Sequence, residues 1–364
     1  MENILYLKEK NLIDPFIIIP TSGSIELVFK ENNIPYKISR FNSFIEGKNL
    51  LKFPILKRNI KATISFLSAF VFWFQFKFKS SSKIDFVYTN TLTTFYGVFL
   101  SFFFKCKHIM HIREIPKEQF DFEYEFGQKR TLDFISKHST KIFCNSEYTL
   151  NYFLASINKN KIVFIPNPIY NEDSAASTVK NRQKDDVLSF VIAGRYEDAK
   201  NQFDAITATK ILVEEGFTNF VLDLFGSGPL KEDYLDFIKK YNLAKYINVF
   251  DFKSNLRESL LKYDVGLVCS RYEAFGRITV EYISSGLAVI GNRTGNTPYL
   301  IEDGKTGLLY NYKEPADLAK KMKYFLTNQE SILKMNKEAR IFIRDTYSIE
   351  NSSEEFIKNL KELI

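Results

Sequence analysis

The chain has 364 residues, a formal net charge of +7 and three cysteines, and this length predicts two to three domains with cores of their own. No internal repeat indicates a solenoid, and no basic stripe lies beside a nucleic-acid-binding motif, which excludes both classes. Cys106, Cys144 and Cys269 occupy apolar, strand-like settings, which favours buried thiols in a reducing cytoplasm over a disulfide framework.

The start of the chain lacks the basic and apolar regions of a signal peptide. If residues 4–7 formed a first strand, only residues 8–15 would separate it from the apolar strand at 16–20. A crossover between parallel strands needs about a dozen residues or more. We therefore predict that residues 3–10 end a helix and that 16–20 form a strand.

Apolar runs alternate with helical patterns through the rest of the first half. The predicted strands are 36–39, 84–90, 108–114, 141–146 and 161–166, and the predicted helices are 25–31, 94–104 and 147–157. This alternation predicts a doubly wound parallel sheet in an N-terminal domain over residues 1–170.

Positive charge is concentrated in that first half, where 23 Lys and Arg residues face 14 Asp and Glu, against 27 and 29 in the remainder. One short segment holds Lys48, Lys52, Lys57, Arg58 and Lys61. The apolar run that follows, 64–76, is shorter than the ~18 residues of a membrane span. It either lies on an anionic membrane surface, or its residues at helical spacing face the sheet. Those residues are Leu67, Phe70, Val71 and Phe74.

Residues 171–187 are polar and charged with almost nothing to bury, and we predict an interdomain linker there. The alternation then restarts. Its predicted strands are 188–194, 220–226, 247–252 and 264–270. We expect a second domain over 188–345 and a final helix over 346–364 that packs back toward the first domain.

Glu273 and Glu281 flank a turn between a buried strand and a short helix, 278–285. Such turns lie at the carboxyl ends of parallel strands, where ligands bind, and the free amides of a helix start favour phosphate. Helical rise would separate the two carboxylates by about 12 Å, a span that suits a nucleotide sugar. The spacing also fits a solvated Glu281 and a Glu273 that suits the helix dipole.

Residues 269–281 read CSRYEAFGRITVE, 286–291 read GLAVIG, and 295–309 read GNTPYLIEDGKTGLL. These stretches resemble the donor-site signature of glycosyltransferase family 4. The resemblance implies a GT-B fold, with two Rossmann-like domains facing across a cleft. It also implies retaining transfer of a hexose from a nucleoside-diphosphate sugar to a lipid-linked saccharide in surface polysaccharide assembly, such as capsule or lipopolysaccharide.

The resemblance also suggests roles for single residues. In the donor-site turn it places Glu273 at the sugar and Glu281 at the ribose, with Phe275, Gly276 and Arg277 binding the donor between them. After the strand at 188–194, Arg195 and Lys200 match the cations that offset charge on a leaving diphosphate. The further donor-binding residues are Gly194 and Gly228.

His111 resembles the family histidine that reaches from the first domain to the donor sugar. From the residues alone, a hydrogen-bonded core histidine fits equally well, and His108, on the opposite face of the strand, is predicted to be structural. No Asp-x-Asp triplet or group of His and carboxylates has metal-ligand spacing, so we expect no metal or other cofactor. The expected partners are a nucleotide sugar, a saccharide acceptor and an anionic membrane surface, with no nucleic acid.

Family members open with a strand, a glycine-rich loop and a helix. Because residues 16–20 resemble the second strand of that order, we expect the first, central strand to be missing and activity to be reduced. A strand at residues 4–7 paired with 86–89 would contradict this. Two other functions stay open: an inactive relic that acts as a binding partner, and a nucleotide-sugar epimerase or hydrolase.

Overall fold

A computed structural model describes residues 1–47, 55–79, 83–168, 187–253 and 255–363. The chain divides into two compact units, Met1–Tyr170 with Ile349–Ile364, and Asn171–Ser348. Most of the predicted linker, 171–186, lies outside the described residues, as do Lys48 and Lys52 of the basic segment.

The first unit alternates strands and helices from its start. Its elements are α1 (Glu2–Glu9), β1 (Ile17–Ile19), α2 (Ile25–Glu31), β2 (Tyr36–Ile38), β3 (Ile45–Gly47), α3 (Ile55–Lys79), β4 (Phe86–Thr89), α4 (Tyr96–Phe104), β5 (Lys107–Ile112), α5 (Pro116–Phe120), β6 (Phe122–Tyr124), α6 (Gln128–His138), β7 (Lys141–Cys144), α7 (Glu147–Leu154) and β8 (Ile162–Phe164). The predicted helix at the start and the strand that follows it are both confirmed.

The strands of the first unit form separate sheets instead of one. β1 pairs in parallel with β2, a second parallel sheet runs β4-β5-β7-β8, and β3 pairs with β6 in antiparallel fashion. Among the described residues, neither β1 nor β4 has a strand on the side away from its partner. This arrangement agrees with the expected lack of a central strand.

Helix α4 joins the two parallel sheets. Ile18 of β1 and Val87 of β4 pack against one cluster, which includes Tyr96 of α4. The Tyr96 hydroxyl lies 2.7 Å from Ser39 Oγ, just past β2. The same helix approaches β4 so closely at Gly97 that a Cβ there would overlap the Thr89 hydroxyl.

Helix α3 turns its small residues inward. Ser65 and Ala69 are fully buried, whereas Leu67, Phe70, Val71 and Phe74 are exposed. The expectation that these four face the sheet is wrong, because α3 is apolar on several sides and its small side chains allow the closest approach to its neighbours. No helix in the described part of the chain is long and apolar enough to cross a membrane.

The second unit is built around one parallel sheet. Its elements are β9 (Leu188–Ala193), α8 (Gln202–Glu214), β10 (Phe220–Phe225), α9 (Lys231–Lys240), β11 (Ile247–Phe250), α10 (Leu256–Leu260), β12 (Val265–Val268), α11 (Arg277–Ser284), β13 (Ala288–Asn292), α12 (Thr297–Leu300), β14 (Leu308–Tyr310), α13 (Pro315–Thr327) and α14 (Glu330–Tyr347). Across the described residues the strand order is β11-β10-β9-β12-β13-β14. Every residue of β12 and β13 is buried, as expected for parallel strands with both faces covered.

The last helix, α15 (Ile349–Lys361), belongs to the first unit. It begins three residues later than the predicted 346, because α14 continues to Tyr347. Phe356 and Leu360 of α15 pack in one cluster with Leu7 of α1. Asn3 Nδ2 also donates to Ser352 Oγ at 3.0 Å, so α1 and α15 together cover one face of the β4-β5-β7-β8 sheet.

Candidate active site

The strand order of the second sheet reverses between β9 and β12. From β9 the chain first adds β10 and β11 on one side, and then crosses back to add β12, β13 and β14 on the other. Such a reversal opens a crevice at the carboxyl ends of the two strands, where open parallel sheets bind their ligands. The candidate site consists of the segments that follow β9 and β12.

Lys200 and Glu273 form the central ion pair of this site. Lys200 ends a short 3-10 helix after β9, and Glu273 lies in the segment after β12. Lys200 Nζ lies 2.7 Å from Glu273 Oε1, with both side chains largely shielded from solvent. A backbone bond joins the same two segments, since the Arg271 amide donates to the Ala199 carbonyl at 2.8 Å. The structure thus brings together two residues that the sequence predicted for the donor site.

The pair leaves Lys200 with donors to spare. An ammonium group carries three N–H donors, and Glu273 accepts one of them. Phosphate oxygens of a ligand can accept the others without breaking the ion pair. Because the pair is partly buried, a phosphate beside it would interact more strongly than at an exposed lysine.

Helix α11 begins beside Glu273 without a side-chain cap. Its N-cap is Gly276, which has φ 87° and is thus in the left-handed region that glycine tolerates. The Gly276 carbonyl accepts from the Thr279 amide at 3.0 Å. The first amides of an uncapped helix favour an anion, so this start suits a phosphate group.

Glu281 lies in the second turn of α11, where it accepts from Arg277 Nε at 2.9 Å in an exposed pair. The expected helical rise from Glu273 to Glu281 is wrong, because residues 273–276 precede the helix and Gly276 turns the chain. Exposed pairs at this spacing contribute only about 0.3–0.5 kcal/mol. Glu281 can therefore exchange Arg277 for a ligand hydroxyl at little cost.

Phe275 anchors the turn instead of standing open. Its ring is buried with its centroid 5.6 Å from that of Tyr347 at the end of α14. Its carbonyl accepts from Asn296 Nδ2 at 2.7 Å. The donor contact assigned to Phe275 stays a prediction.

Glycines bring the segments after β9 and β10 together. A Cβ on Gly226 would overlap the Gly194 carbonyl, and a Cβ on Gly228 would overlap the Tyr196 carbonyl. The Tyr196 amide also donates to the Ser227 carbonyl at 2.9 Å. Chain packing alone therefore requires Gly226 and Gly228, and the predicted role of Gly194 and Gly228 in binding the donor stays untested.

Arg195 is one of the exposed residues of the predicted site. Its side chain is 72% exposed, and its Nε donates to Glu197 at 3.0 Å. The Arg195 backbone is fixed, because its carbonyl accepts from Gln202 Nε2 at 2.9 Å. A fixed backbone with an exposed guanidinium lets the side chain turn toward a ligand phosphate.

His111 lies in the first unit, buried on β5. Its Nδ1 is hydrogen-bonded to the Tyr88 hydroxyl, and its ring packs edge-on against Phe143. Burial and the charge of Arg113 lower the pKa of His111 well below its ordinary value, so the ring is neutral. Its Nε2 has no hydrogen-bond partner within the described residues, and its contact with a donor sugar stays a prediction.

His108 lies on the opposite face of β5, as the sequence predicted. It bonds Thr89 Oγ1 at 2.8 Å through Nε2 and Ser139 Oγ at 2.9 Å through Nδ1. Burial lowers its pKa to about 3. A neutral histidine with both nitrogens bonded fits the structural role.

Two residues that the sequence analysis did not select hold the site in place. The Asn296 amide donates to the Glu273 carbonyl at 2.8 Å, in addition to the Asn296 bond to Phe275. The Tyr282 hydroxyl accepts from the Ala193 amide at 2.8 Å, and its ring fills the space over Gly266. An Asn just before Thr-Pro at a helix start was a signal for Asn296, whereas Tyr282 had none.

The ionic side chains of the segments after β9 and β12 include both signs. In the predicted set Lys200, Arg195 and Arg277 stand against Glu273 and Glu281, and Glu197 pairs with Arg195. Lys200 and the first amides of α11, and not a net charge, therefore suit an anionic ligand. Within the described ranges, no three His, Cys, Asp or Glu side chains come together in a way that could hold a metal ion.

A match to a known family covers most of the second unit. Residues 173–342 match the family model described as Glycosyl transferases group 1. A relative from Klebsiella pneumoniae, "Uncharacterized 41.2 kDa protein in cps region", is 25% identical over 85% of this chain and 81% of its own. N-acetyl-alpha-D-glucosaminyl L-malate synthase of Bacillus anthracis is 26% identical over 43% of this chain and 40% of its own.

Solved structures share the fold over nearly the whole chain. Anabaena Alr3699/HepE in complex with UDP has a TM-score of 0.76 at 14% identity and covers 99% of this chain and 96% of its own. A glycosyltransferase from Rickettsia africae has a TM-score of 0.77 at 16% identity, over 100% of this chain and 93% of its own. The prediction of a GT-B fold with two Rossmann-like domains is confirmed.

Proposed function

We propose that this chain of GT-B fold is a retaining transferase of glycosyltransferase family 4. It moves a hexose from a nucleoside diphosphate to a growing, lipid-linked saccharide in surface polysaccharide assembly, on the cytoplasmic side of the membrane. The observation that carries the proposal is the Lys200–Glu273 pair beside the uncapped start of α11. The family match over 173–342 and the cps-region relative support it.

The site residues divide the donor between them. The diphosphate is placed at Lys200 and the first amides of α11, the sugar faces Glu273, and the ribose hydroxyls bond Glu281. Because HepE is described in complexes with UDP and UDP-glucose, UDP-glucose is the first donor to test.

Transfer breaks the C1–O bond to the diphosphate and forms a C1–O bond to the acceptor on the same face of the sugar. The acceptor proton passes to an oxygen of the leaving diphosphate. Lys200 and Arg195 stabilise the negative charge that grows on that group. Since these cations and the α11 amides meet the charge, the proposed reaction needs no metal ion, and we expect turnover to be unchanged by EDTA.

A second candidate is an inactive binding protein of the same fold. Within the described residues, β1 and β4 each have one side without a paired strand, which favours this candidate, because unpaired backbone groups within a core cost stability. Such a protein would bind the nucleotide sugar without turning it over, so no free nucleotide would be released.

Measuring nucleotide release from UDP-hexoses with and without saccharide acceptors distinguishes the candidates. Release that depends on acceptor supports transfer, and equal release without acceptor would make the chain a hydrolase. A thermal-shift screen of nucleotides adds the binding arm, since a ligand at 100 times its Kd stabilises by about 2.7 kcal/mol. Stabilisation by a nucleotide with no turnover would make the chain a binding protein.

A further inference from the structure

One face of α3 carries a continuous row of exposed apolar side chains. The row consists of Ile60, Ile64, Leu67, Val71, Phe74 and Phe78, here called the α3 stripe. Its members follow at alternating spacings of four and three residues, which places them on one side of a helix. Leu67 is 53% exposed and Phe78 76%, so the stripe has no partner within the described residues that shields it.

Aromatic rings widen this surface beyond the stripe. Phe70 and Trp73 of α3 contact Phe103 of α4, with ring centroids 5.5 and 5.9 Å apart. Phe102, the neighbour of Phe103, is 70% exposed. Apolar patches of this extent on a folded surface mark interaction sites.

The sequence segment that carries the stripe has an excess of positive charge. Between Glu46 and Asp85 the sequence holds eight Lys and Arg residues and no Asp or Glu. Arg58 and Lys61 bond Glu125, whereas Lys77 is exposed, with its Nζ 5.4 Å from the centre of the Trp73 ring.

We propose that the α3 stripe docks the protein onto an anionic lipid surface, with the helix lying in the plane of the interface. Helical rise gives the stripe a length of about 27 Å along that plane. An exposed apolar face that includes Phe74 and Phe78 and is bordered by Lys77 and Trp73 has the chemistry of an interfacial helix. The opposite face of α3 is held by the protein through Ser65, Ala69 and Phe72, so the helix lies on the bilayer and does not enter it end-on.

A second copy of the chain is the other occupant that a regular stripe could suit. Two α3 helices would place only cations near one another, because neither supplies a carboxylate for interhelical pairs. Anionic headgroups supply the missing charge at about 1 kcal/mol per cation near the surface. The cations of α3 are therefore better matched by an anionic lipid surface than by a second copy of the chain.

Docking deepens the proposed function, since a lipid-linked acceptor is presented at such a surface. The two are nevertheless separable, because docking needs no nucleotide sugar. A chain that binds vesicles and transfers no hexose would overturn the proposed function alone. A chain that transfers to soluble acceptors and ignores vesicles would overturn the docking proposal alone.

The test uses the full chain with vesicles of phosphatidylglycerol and phosphatidylcholine. Trp73 is the single tryptophan, so its fluorescence reports the stripe without a label. We expect co-sedimentation with the anionic vesicles, a blue shift of Trp73 emission, and quenching by brominated lipid chains. Affinity should fall as salt rises, since screening acts over about 8 Å at physiological ionic strength.

The matched variants are Leu67→Glu/Val71→Glu/Phe74→Glu on the stripe and Leu333→Glu/Ile341→Glu on α14. Leu333 and Ile341 are also exposed apolar residues, but they belong to the second unit. We expect the stripe variant to lose at least about tenfold in vesicle affinity and the α14 variant to keep it. Circular dichroism of both variants checks that they fold.

Three outcomes would overturn the proposal. The first is that the stripe variant binds anionic vesicles as tightly as the native chain does. The second is that the native chain binds vesicles of pure phosphatidylcholine as tightly as anionic vesicles. The third is that the native chain does not bind vesicles but sediments as a dimer, and the stripe variant does not form this dimer. The last would assign the stripe to a second copy of the chain.

Discussion

The two units organise similar strand and helix patterns differently. In the second unit β9 pairs with β10 over six residues, and the sheet continues through β12 to β14 across the described strands. In the first unit β1 and β4 belong to separate sheets joined through α3 and α4. Lys200 and Glu273 of the second unit follow strand ends, whereas the histidines of β5 lie within a core. The continuous sheet of the second unit thus has its candidate ligand site at strand ends. The first unit, with its separate sheets, instead has an exposed helix face, the α3 stripe.

The sharpest test of this contrast removes the positive charge of Lys200, which lies where the strand order of the second sheet reverses. Lys200→Met should lower kcat by about 10²–10³-fold, as loss of one group aimed at transition-state charge does elsewhere. Arg195→Ala should also act on kcat. Lys305→Met, at an exposed pair with Glu302, is the control. Steady-state kinetics check this, and a change in KM alone would show uniform binding.

Glu281→Ala should weaken nucleoside-diphosphate binding by about 1.5–3 kcal/mol, because the carboxylate makes charge-assisted bonds to the ribose hydroxyls. Titration calorimetry with the free nucleotide measures the loss. Glu215→Ala removes an equally simple surface pair, with Lys323, and should leave binding unchanged. Unaltered affinity in the Glu281 variant would leave that residue as a solvated part of α11.

Paired glycine substitutions compare the stability of the units. A Cβ on Gly266 would overlap the Tyr282 ring, and one on Gly97 would overlap the Thr89 hydroxyl. Each change to Ala should cost about 1–3 kcal/mol by overpacking. Hydrogen exchange should show Gly266→Ala loosening β9 and β12 only, and Gly97→Ala loosening β4 and β5 only.

Gly23→Ala, where nothing lies within 4 Å of the added Cβ, should change neither unit. Loss of protection in both units from either buried substitution would mean that they unfold as one.

Acid should weaken the first unit in particular. Burial holds the pKa of His108 at about 3 in the fold, whereas an unfolded histidine titrates near 6.5. Between these pH values the unfolded chain binds a proton at His108 and the folded chain does not. The contribution of neutral His108 to the free energy of unfolding is therefore fully present above about pH 6.5 and is lost as the pH falls toward 3. The slope is up to about 1.4 kcal/mol per pH unit.

Urea midpoints of the first unit at several pH values measure this slope. His108→Gln should flatten it, and His138→Gln, at an exposed histidine whose pKa burial also lowers but to a lesser extent, should flatten it less. An unchanged slope in His108→Gln would assign the acid sensitivity to other groups, such as buried His111.

Local pattern was sufficient for much of the fold. The predicted helix 25–31 is α2 to the residue, and predicted strands 36–39 and 220–226 contain β2 and β10. These segments have a clear period and are bounded by turn residues. Strands β3 and β6, which pair only with each other among the described strands, were not predicted. Each has a Glu at its centre, a residue type that is depleted in strands.

Pattern did not determine which side of α3 faces inward. Leu67, Phe70, Val71 and Phe74 repeat at helical spacing, but so do Ser65, Ala69 and Phe72, which form the buried face. Periodicity identifies an apolar stripe as the side of a helix that faces inward. A helix with apolar residues on several sides has more than one such stripe. The choice depended on how closely each face could approach α4.

The sequence also selected the ion pair of the site without its supports. Lys200 and Glu273 were found through resemblance and local spacing. Asn296 and Tyr282 bond segments more than 20 residues away in sequence. The local pattern marks Asn296 only as a helix start and does not encode these contacts. Gly228 was selected for a ligand and turns out to be required by close backbone packing as well.

The cluster shared by α1 and α15 constrains the order in which the protein is made. Leu7, Ile109 and Phe143 are buried together with Phe356 and Leu360, and a ribosome delivers the last two after all of the second unit. Domains fold as units during synthesis, so the second unit is complete while this face of the first still lacks its cover. The unit translated first is therefore the last to close.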